Sequence, residues 1–159
     1  DGAPKGGAQW WRHPDGGPAR DGIYADSAEP LEDQFMYHAV AATIRDLIQH
    51  RQAEGRTAVL GLATGSTPLP LYAELVRLHR EDGLSFKNVV TFNLDEYWPM
   101  GPGELQSYRR FMDEHLFNLI DIPRAQTNVP DGKIDQSKIA AFCANYEKAI
   151  AAAGGRASY

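Results

Sequence analysis

A pair of adjacent carboxylates, Asp95-Glu96, directly follows a short apolar run with the composition of a β-strand. A carboxylate at the end of a buried strand can act as a general base when burial or neighbouring groups adjust its pKa. The next residues, Tyr97 and Trp98, are expected to shield Asp95 from water. An isolated acidic pair is more often a solvated turn or a helix cap, so this pair needs a second feature to indicate catalysis.

That second feature is a loop of small and hydroxyl-bearing residues, Thr64 to Thr67, which ends at Pro68. Ser66 and Thr67 are favourable helix N-caps, and Pro68 suits the first helical position. Gly65 lets a ligand approach the main chain closely. Free N–H groups at a helix N-terminus form a site for an anion, most often a phosphate. We therefore predict a phosphate-binding loop.

A β-α-β unit would position both features. Strands are predicted at Thr57–Leu62 and Asn88–Asn93, with a helix from Pro68 to about Asp82 between them. Parallel strands joined in this way end at the same edge of the sheet, where open α/β sheets bind ligands. The predicted fold is therefore α/β, an open and mostly parallel Rossmann-like sheet with helices on both faces.

Other elements flank this unit. We predict helices from about Pro30 to Gly55, after the N-cap Ser107, and from about Gln136 to Gly154, and a short strand at Asn128-Val129. The last helix is expected to turn five side chains inward: Ile139, Phe142, Cys143, Tyr146 and Ile150. Residues 1–26, rich in Gly and Pro and containing Trp10-Trp11, are predicted to form a flexible tail, and residues 27–159 the folded part.

Composition narrows the function classes. The net charge of −5 over 159 residues argues against nucleic acid or an anionic membrane as a partner. A single cysteine and no hydrophobic span or leader favour the cytoplasm. The five histidines lack metal-ligand spacing, and nucleotide-binding glycine motifs are absent, so neither a metal nor a cofactor is expected. Lys87, Arg109 and Arg110 either assist phosphate binding or, more in keeping with their spacing, are surface charges.

Three stretches carry a family resemblance: Leu60 to Pro68, Ser85 to Tyr97, and Gln106 to Met112. Together they closely resemble the glucosamine-6-phosphate deaminases, over roughly residues 27–155. The related 6-phosphogluconolactonases share the loop but typically carry Asp-Glu-Arg in place of Asp95-Glu96-Tyr97, which favours the deaminases. The chain looks most like the long bacterial forms, which carry a second, deacetylase-like domain.

The resemblance implies a cofactor-free conversion of glucosamine 6-phosphate and water to fructose 6-phosphate and ammonia. It implies that Asp95 takes the C2 proton and that Glu96 helps to bind the substrate. Thr64, Gly65, Ser66 and Thr67 would hold the phosphate. Small-molecule sugar phosphates are then the expected partners, and a homo-oligomer is expected for the full-length enzyme.

The chain departs from the family in one respect. The ring-opening histidine of these enzymes lies in a Gly-His-Ile segment that does not occur before Tyr159. The sequence is therefore expected to be the N-terminal portion of a truncated domain, inactive or nearly so alone. A lactonase-like hydrolase of the same fold and a non-catalytic sugar-phosphate binding module remain alternatives.

Overall fold

The computed structural model describes residues 31–154, with the backbone alone for residues 31–34. The predicted tail and its Trp10-Trp11 pair lie outside the described residues, so those expectations stay predictions. Every side-chain contact given below lies within residues 35–154, which belong to a single compact unit.

Four helices and three strands form the described part of the chain. The helices are α1 (Leu31–Ala53), α2 (Leu69–Asp82), α3 (Tyr108–His115) and α4 (Ile139–Ala152). The strands are β1 (Ala58–Leu62), β2 (Val89–Asn93) and β3 (Thr127–Asn128). Short 3₁₀ turns occupy Phe117–Leu119, Arg124–Gln126 and Gln136–Lys138. Each predicted helix and strand is confirmed, with boundaries within a few residues of those expected.

The three strands form one parallel sheet in the order β1-β2-β3. The register pairs Leu62 with Asn93, the last residues of β1 and β2, so these strands stop at the same level. Strand β3 runs in the same direction, with Phe92 opposite Asn128. The loops that follow all three strands therefore leave from one edge of the sheet. This is expected for parallel strands, which are joined by crossover connections of one handedness.

Helices cover both faces of the sheet. On one face, side chains of α1, α2 and α3 pack on β1 and β2 in a single core cluster, which includes Ile48, Tyr72, Leu75, Met112, Ala58 and Val89. Side chains alternate along a strand, so Phe92 points to the opposite face. There its ring meets that of Tyr146 on α4 edge-on, with 5.6 Å between centroids. The predicted Rossmann-like class is confirmed.

Asp121, which follows α3, fixes the segment that leads into β2. Its carboxylate accepts hydrogen bonds from the Phe86 N–H at 2.6 Å and the Ser85 hydroxyl at 2.8 Å, and His79 lies 3.6 Å away. Burial by itself would raise the pKa of Asp121, but these two donors and His79 outweigh it and lower the pKa. The charged form of Asp121 thus stabilises the entry to β2.

Helix α4 differs from expectation in one side chain. Ile139, Phe142, Tyr146 and Ile150 are half-buried along one face, as predicted, but Cys143 is exposed. The spacing of apolar residues correctly predicted which face of α4 turns inward, but not how wide that face is. Cys143 lies outside the strip of side chains that packs on the sheet. The prediction of a core cysteine was wrong. Within residues 31–154, none of the helices combines the length and apolarity needed to span a bilayer.

Candidate active site at the carboxyl edge of the sheet

The loop after β1 supplies unpaired polar groups. Thr64 is half-buried, whereas Gly65, Ser66 and Thr67 are exposed. Gly65 has a φ of 101°, in the region that favours glycine, as its predicted role requires. Among the described residues, the backbone N–H groups of Gly65, Ser66 and Thr67 have no hydrogen-bond acceptor. The loop therefore presents free donors to the carboxyl edge.

The predicted capping of α2 was wrong in detail. The helix begins at Leu69 rather than Pro68, and Pro68 occupies the N-cap position without a side-chain cap. The Leu69 N–H donates to the backbone carbonyl of Ser66 at 3.2 Å. A main-chain carbonyl, rather than a Ser or Thr hydroxyl, therefore accepts this hydrogen bond at the start of the helix. Ser66 and Thr67 are good caps by residue type, but among the described residues neither hydroxyl makes a capping hydrogen bond. We therefore take both exposed hydroxyl groups to be available to a ligand.

Two buried side chains hold this loop against the sheet. The Tyr72 hydroxyl of α2 donates to the Ala63 carbonyl, and the Asn93 amide donates to the Leu62 carbonyl at 3.1 Å. Burial raises the pKa of Tyr72 to about 12, against a smaller lowering by its carbonyl contact, so the phenol stays protonated and keeps donating. The start of the loop is thus fixed to α2 and β2.

Asp95 lies at the same edge, two residues beyond the end of β2, and its side chain is exposed. The expected shielding by Tyr97 and Trp98 is not seen. Tyr97 packs on Tyr108, with 4.8 Å between ring centroids, and the Trp98 indole N–H donates to the Ile134 carbonyl at 2.8 Å. Both aromatic rings are committed to neighbouring elements and leave Asp95 open to solvent.

The contacts of Glu96 are with neighbouring protein groups, whereas we expected Glu96 to help bind the substrate. Its carboxylate accepts from the Ser107 hydroxyl at 2.8 Å and from the backbone N–H groups of Tyr108 at 2.8 Å and Arg109 at 3.0 Å. It also accepts from the N–H of Tyr97 at 2.9 Å. Four donors occupy its acceptor positions, and the negative charge lies at the positive end of α3. Glu96 therefore positions α3 here, and a substrate contact by Glu96 stays a prediction.

Tyr108, the first residue of α3, joins the two loops. Its ring packs on that of Tyr97, with 4.8 Å between centroids, and the side chain of Thr64 and the charge of Asp95 both act on its phenol. The hydrogen bond with Tyr97, aided by partial burial and by the charge of Asp95, raises the pKa of Tyr108, while the Thr64 hydroxyl lowers it by a smaller amount. Tyr108 is therefore under the influence of both loops that leave the carboxyl edge after β1 and β2.

Helix α4 supports the floor of the site from the other face. The Tyr146 hydroxyl donates to the carbonyls of Asn93 at 2.8 Å and Asn128 at 3.1 Å, where β2 and β3 end. Burial raises the pKa of Tyr146 to about 12, so the hydroxyl remains a donor at neutral pH, although the Asn93 contact lowers the pKa slightly. The ends of two strands are thereby held together.

The loops after β2 and β3 are fastened to each other. The Met100 N–H donates to the Gly132 carbonyl at 2.8 Å, alongside the indole bond from Trp98 to Ile134. Gly132 is buried, and a Cβ added there would lie 2.5 Å from the Met100 carbonyl oxygen and 2.7 Å from that of Tyr97. We call these two hydrogen bonds, together with the tight packing at Gly132, the loop clasp.

Replacing Gly132 with alanine is expected to open the loop clasp, because two backbone oxygens would have to move away from the new methyl group. The free energy of unfolding should fall by about 1–3 kcal/mol, the range for overpacking a closely packed position. Urea unfolding followed by circular dichroism measures this change. Gly103→Ala is the matched control, since nothing lies within 4 Å of a Cβ there, and equal effects of the two variants would contradict the loop clasp.

The three basic residues considered for phosphate binding do not reach the loop after β1. Arg109 binds the Thr127 carbonyl at 3.1 Å and pairs with Asp113 at 3.3 Å, and Arg110 pairs with Glu114 at 2.6 Å. Lys87 precedes β2 and so lies at the opposite edge of the sheet. The structure thus supports the alternative interpretation, that these residues are surface or structural charges.

A groove of about 360 Å³ lies beside the site. Its walls come from α3, the 3₁₀ turn before β3 and the two clasped loops: Glu96, Met100, Pro102, Arg109, Arg124, Val129, Pro130, Asp131 and Gly132. Its lining includes neither Asp95 nor the Thr64–Thr67 loop, which lie at the open carboxyl edge of the sheet; we call this edge the crevice. Among residues 31–154, no group of three or more His, Cys, Asp or Glu side chains could hold a metal ion.

Several residues of the site were missed by sequence reasoning. Tyr72, Asn93 and Tyr108 were assigned to a helix face or a strand, yet each supplies a polar group that shapes the crevice. Hydroxyl and amide groups on residues next to the ends of parallel strands were the available signal. Tyr108 directly follows the predicted N-cap Ser107, which is confirmed by its bond from the Arg110 N–H. The position of Tyr108 at the carboxyl edge could therefore have been inferred from the sequence.

Comparison with known proteins agrees with this geometry. Residues 32–158 match the family model of glucosamine-6-phosphate isomerases/6-phosphogluconolactonase. A glucosamine-6-phosphate deaminase from Cellvibrio japonicus is 51% identical over 117 residues, which are 74% of this chain and 44% of that protein. The structure of a monomeric glucosamine-6-phosphate deaminase superposes with a TM-score of 0.70 at 34% identity, covering 77% of this chain and 48% of its own.

A second solved structure, a 6-phosphogluconolactonase from Thermotoga maritima, superposes with a TM-score of 0.58 at 26% identity. The superposition covers 74% of this chain and 50% of the lactonase. The chain thus spans about half the length of the relatives that it matches.

Proposed function

The chain belongs to the family of glucosamine-6-phosphate isomerases and 6-phosphogluconolactonases, and from this premise we propose that it supplies part of an active site for glucosamine 6-phosphate. The proposed role is to supply the phosphate loop and the proton-abstracting carboxylate for conversion to fructose 6-phosphate and ammonia. Thr64, Gly65, Ser66 and Thr67 bind the phosphate. Asp95 takes the C2 proton.

One observation carries this proposal, namely the parallel register that pairs Leu62 with Asn93. This register supports the proposal because the loop with free donors after β1 and the carboxylate after β2 both follow strands that end at the same level. When the neutral donors of this loop bind the phosphate, the six-carbon sugar attached to it can extend across the crevice. Holding a reacting carbon beside a base in this way is a major source of rate enhancement.

The proton transfer uses the carboxylate of Asp95. Asp95 accepts the proton from C2 of the open-chain sugar and is thereby neutralised. The electron pair of the broken C–H bond forms a C1–C2 double bond, and the C1 carbonyl oxygen takes a proton from solvent to give the enol. Asp95 then returns its proton to C1, which leaves an iminium group at C2; water adds to C2 and ammonia leaves, which gives the ketose. Within this scheme Asp95 touches the substrate, while Glu96 acts through α3 by keeping Tyr108 at the crevice.

The family also contains lactonases, so lactone hydrolysis is the second candidate for this crevice. Tyr97, in the sequence Asp95-Glu96-Tyr97, favours the deaminase. In the structure Tyr97 packs on Tyr108 within the site, where the arginine typical of lactonases would introduce a charge. A cytoplasmic location and a homo-oligomeric full-length protein are part of the same proposal.

Ligand binding to the 159-residue chain tests the proposal. In ¹H–¹⁵N NMR spectra, glucosamine 6-phosphate should shift the amide signals of Gly65, Ser66 and Thr67 and saturate at millimolar or lower concentration. Glucosamine, which lacks the phosphate, should produce no such shifts at the same concentrations. If 6-phosphogluconate bound at least about tenfold more tightly than glucosamine 6-phosphate, a difference of about 1.4 kcal/mol, the lactonase candidate would be preferred.

A further inference from the structure

Two buried oxygen atoms on the inward face of β2 have no hydrogen-bond partner among the described residues. They are the hydroxyl oxygen of Thr91 and the amide oxygen of Asn93, two residues that are each only 1% exposed. Residues two apart on a strand point to the same face, so both side chains turn toward the core that Val89 enters. A polar atom buried without a partner is costly, so this pair of oxygens requires an explanation.

The end of β1 fixes the orientation of the Asn93 amide. Its NH₂ group donates to the Leu62 carbonyl at 3.1 Å. Turning the amide by 180° would set its oxygen against that carbonyl oxygen, and both atoms only accept hydrogen bonds. The amide oxygen of Asn93 therefore faces away from Leu62, into the protein interior, where it needs a donor.

A third oxygen of this kind belongs to the Asn88 side chain, and its setting is different. Asn88 is half-buried and lines an open groove at the amino end of β2, together with Arg56 and Thr57. Solvent is therefore close to Asn88. Thr91 and Asn93 are almost fully buried, so a donor for them must be an internal one.

We propose that Thr91 and Asn93 bind one internal water molecule at the start of the loop after β1. Water fits because it can donate to the Asn93 oxygen and accept from the Thr91 hydroxyl. It joins two oxygens up to about 5.6 Å apart through two hydrogen bonds of about 2.8 Å. The two residues are about 6.6 Å apart along the strand, and the longer Asn93 side chain covers the difference. A metal cation would require more oxygen ligands than this pair supplies.

The water would support the contact between Asn93 and β1. With its oxygen satisfied, the Asn93 amide keeps donating to the Leu62 carbonyl, directly before the loop of Thr64 to Thr67. Asn93 is then a positioning residue for the donors of that loop, and Thr91 acts on them through the water. The water site does not depend on the proposed function, and only the ligand measurement described below rests on it.

Counting internal water molecules tests the site directly. Magnetic relaxation dispersion of ¹⁷O and ²H counts the water molecules that the 159-residue chain holds for longer than nanoseconds. Thr91→Val keeps the side-chain shape but removes the hydroxyl, and it should lower this count by about one, whereas Thr91→Ser should retain the water. Thr127→Val is the matched control and should leave the count unchanged, because the buried Thr127 hydroxyl already bonds the Arg124 carbonyl and the Arg109 guanidinium.

The stability of Thr91→Val has a sign that distinguishes the alternatives. Because this change removes a partner of the water, the equilibrium constant for unfolding in urea should rise about fivefold, or about 1 kcal/mol. A hydroxyl without any partner would give the opposite result, since a methyl group of the same shape relieves the cost of an unsatisfied buried group. Unchanged or increased stability in Thr91→Val would therefore overturn the proposal.

Isothermal titration with glucosamine 6-phosphate tests the positioning role. Thr91→Val should raise the Kd about threefold, although Thr91 is too deeply buried to touch a ligand, and Thr91→Ser should restore the affinity. An unchanged water count in Thr91→Val would overturn the water site. A lower count with unchanged affinity would overturn the positioning role. If the unaltered chain did not bind the sugar phosphate, the proposed function would be wrong, and the water count would still decide the water site.

Discussion

Asp95→Asn is expected to reduce proton exchange at C2 of glucosamine 6-phosphate by at least about 100-fold, the lower end of what a positioned general base contributes. The amide has nearly the shape of the carboxylate but cannot accept the proton at neutral pH. The open-chain sugar already present in solution is sufficient for this measurement. Loss of the C2 proton signal in deuterium oxide, followed by NMR, gives the rate for the 159-residue chain and the variant.

The same variant should leave the affinity for glucosamine 6-phosphate within about threefold, or about 0.7 kcal/mol, because the phosphate donors are untouched. Asp82→Asn serves as the control, since Asp82 is exposed at the end of α2, remote from the carboxyl edge. Exchange that survives in Asp95→Asn at the rate of the unaltered chain would show that another group removes the proton.

Glu96→Gln is expected to lower the free energy of unfolding by about 2–3 kcal/mol, a large effect for a half-buried side chain. The carboxylate accepts four hydrogen bonds, three of them from residues at the N-terminus of α3. An amide keeps one acceptor oxygen but turns its NH₂ group toward backbone donors, and it removes the charge that favours the helix end. Urea unfolding measures the change.

Glu114→Gln provides the comparison for Glu96→Gln. Glu114 is exposed and pairs with Arg110 one turn earlier on α3, so its replacement should cost less than about 0.5 kcal/mol. The Glu96 variant should also weaken binding of glucosamine 6-phosphate, because Tyr108 would lose its backbone anchor. Equal stability losses for the two glutamates would contradict the positioning role of Glu96.

Local sequence patterns predicted most of the fold. The β-prone runs at Ala58–Leu62 and Val89–Asn93, separated by a helix-length segment, specify parallel strands because a crossover of that length cannot close a hairpin. Ser107 was correctly predicted as an N-cap, since its type and the following helical pattern agree. The same reasoning placed Thr64 and Asp95 at one edge of the sheet.

Features that depend on where a side chain turns could not be predicted in this way. Glu96 reaches residues 11 to 13 positions ahead, a distance that no helix or strand period reveals. Ser66 has a favoured capping type, yet its carbonyl makes the contact. Tyr97 and Trp98 are apolar enough to shield Asp95, but their partners, Tyr108 at the start of α3 and Ile134 in the loop after β3, lie far along the chain. Tertiary contacts decided these cases.

The loop clasp has a consequence for protein engineering. Transplanting the crevice onto another parallel sheet would require the loops after β2 and β3 as one cassette. Grafted alone, the loop of Asp95 would leave the Met100 N–H and the Trp98 indole without their acceptors, the carbonyls of Gly132 and Ile134. A library that varies the length of one loop should therefore recover active members only where the other loop is varied with it.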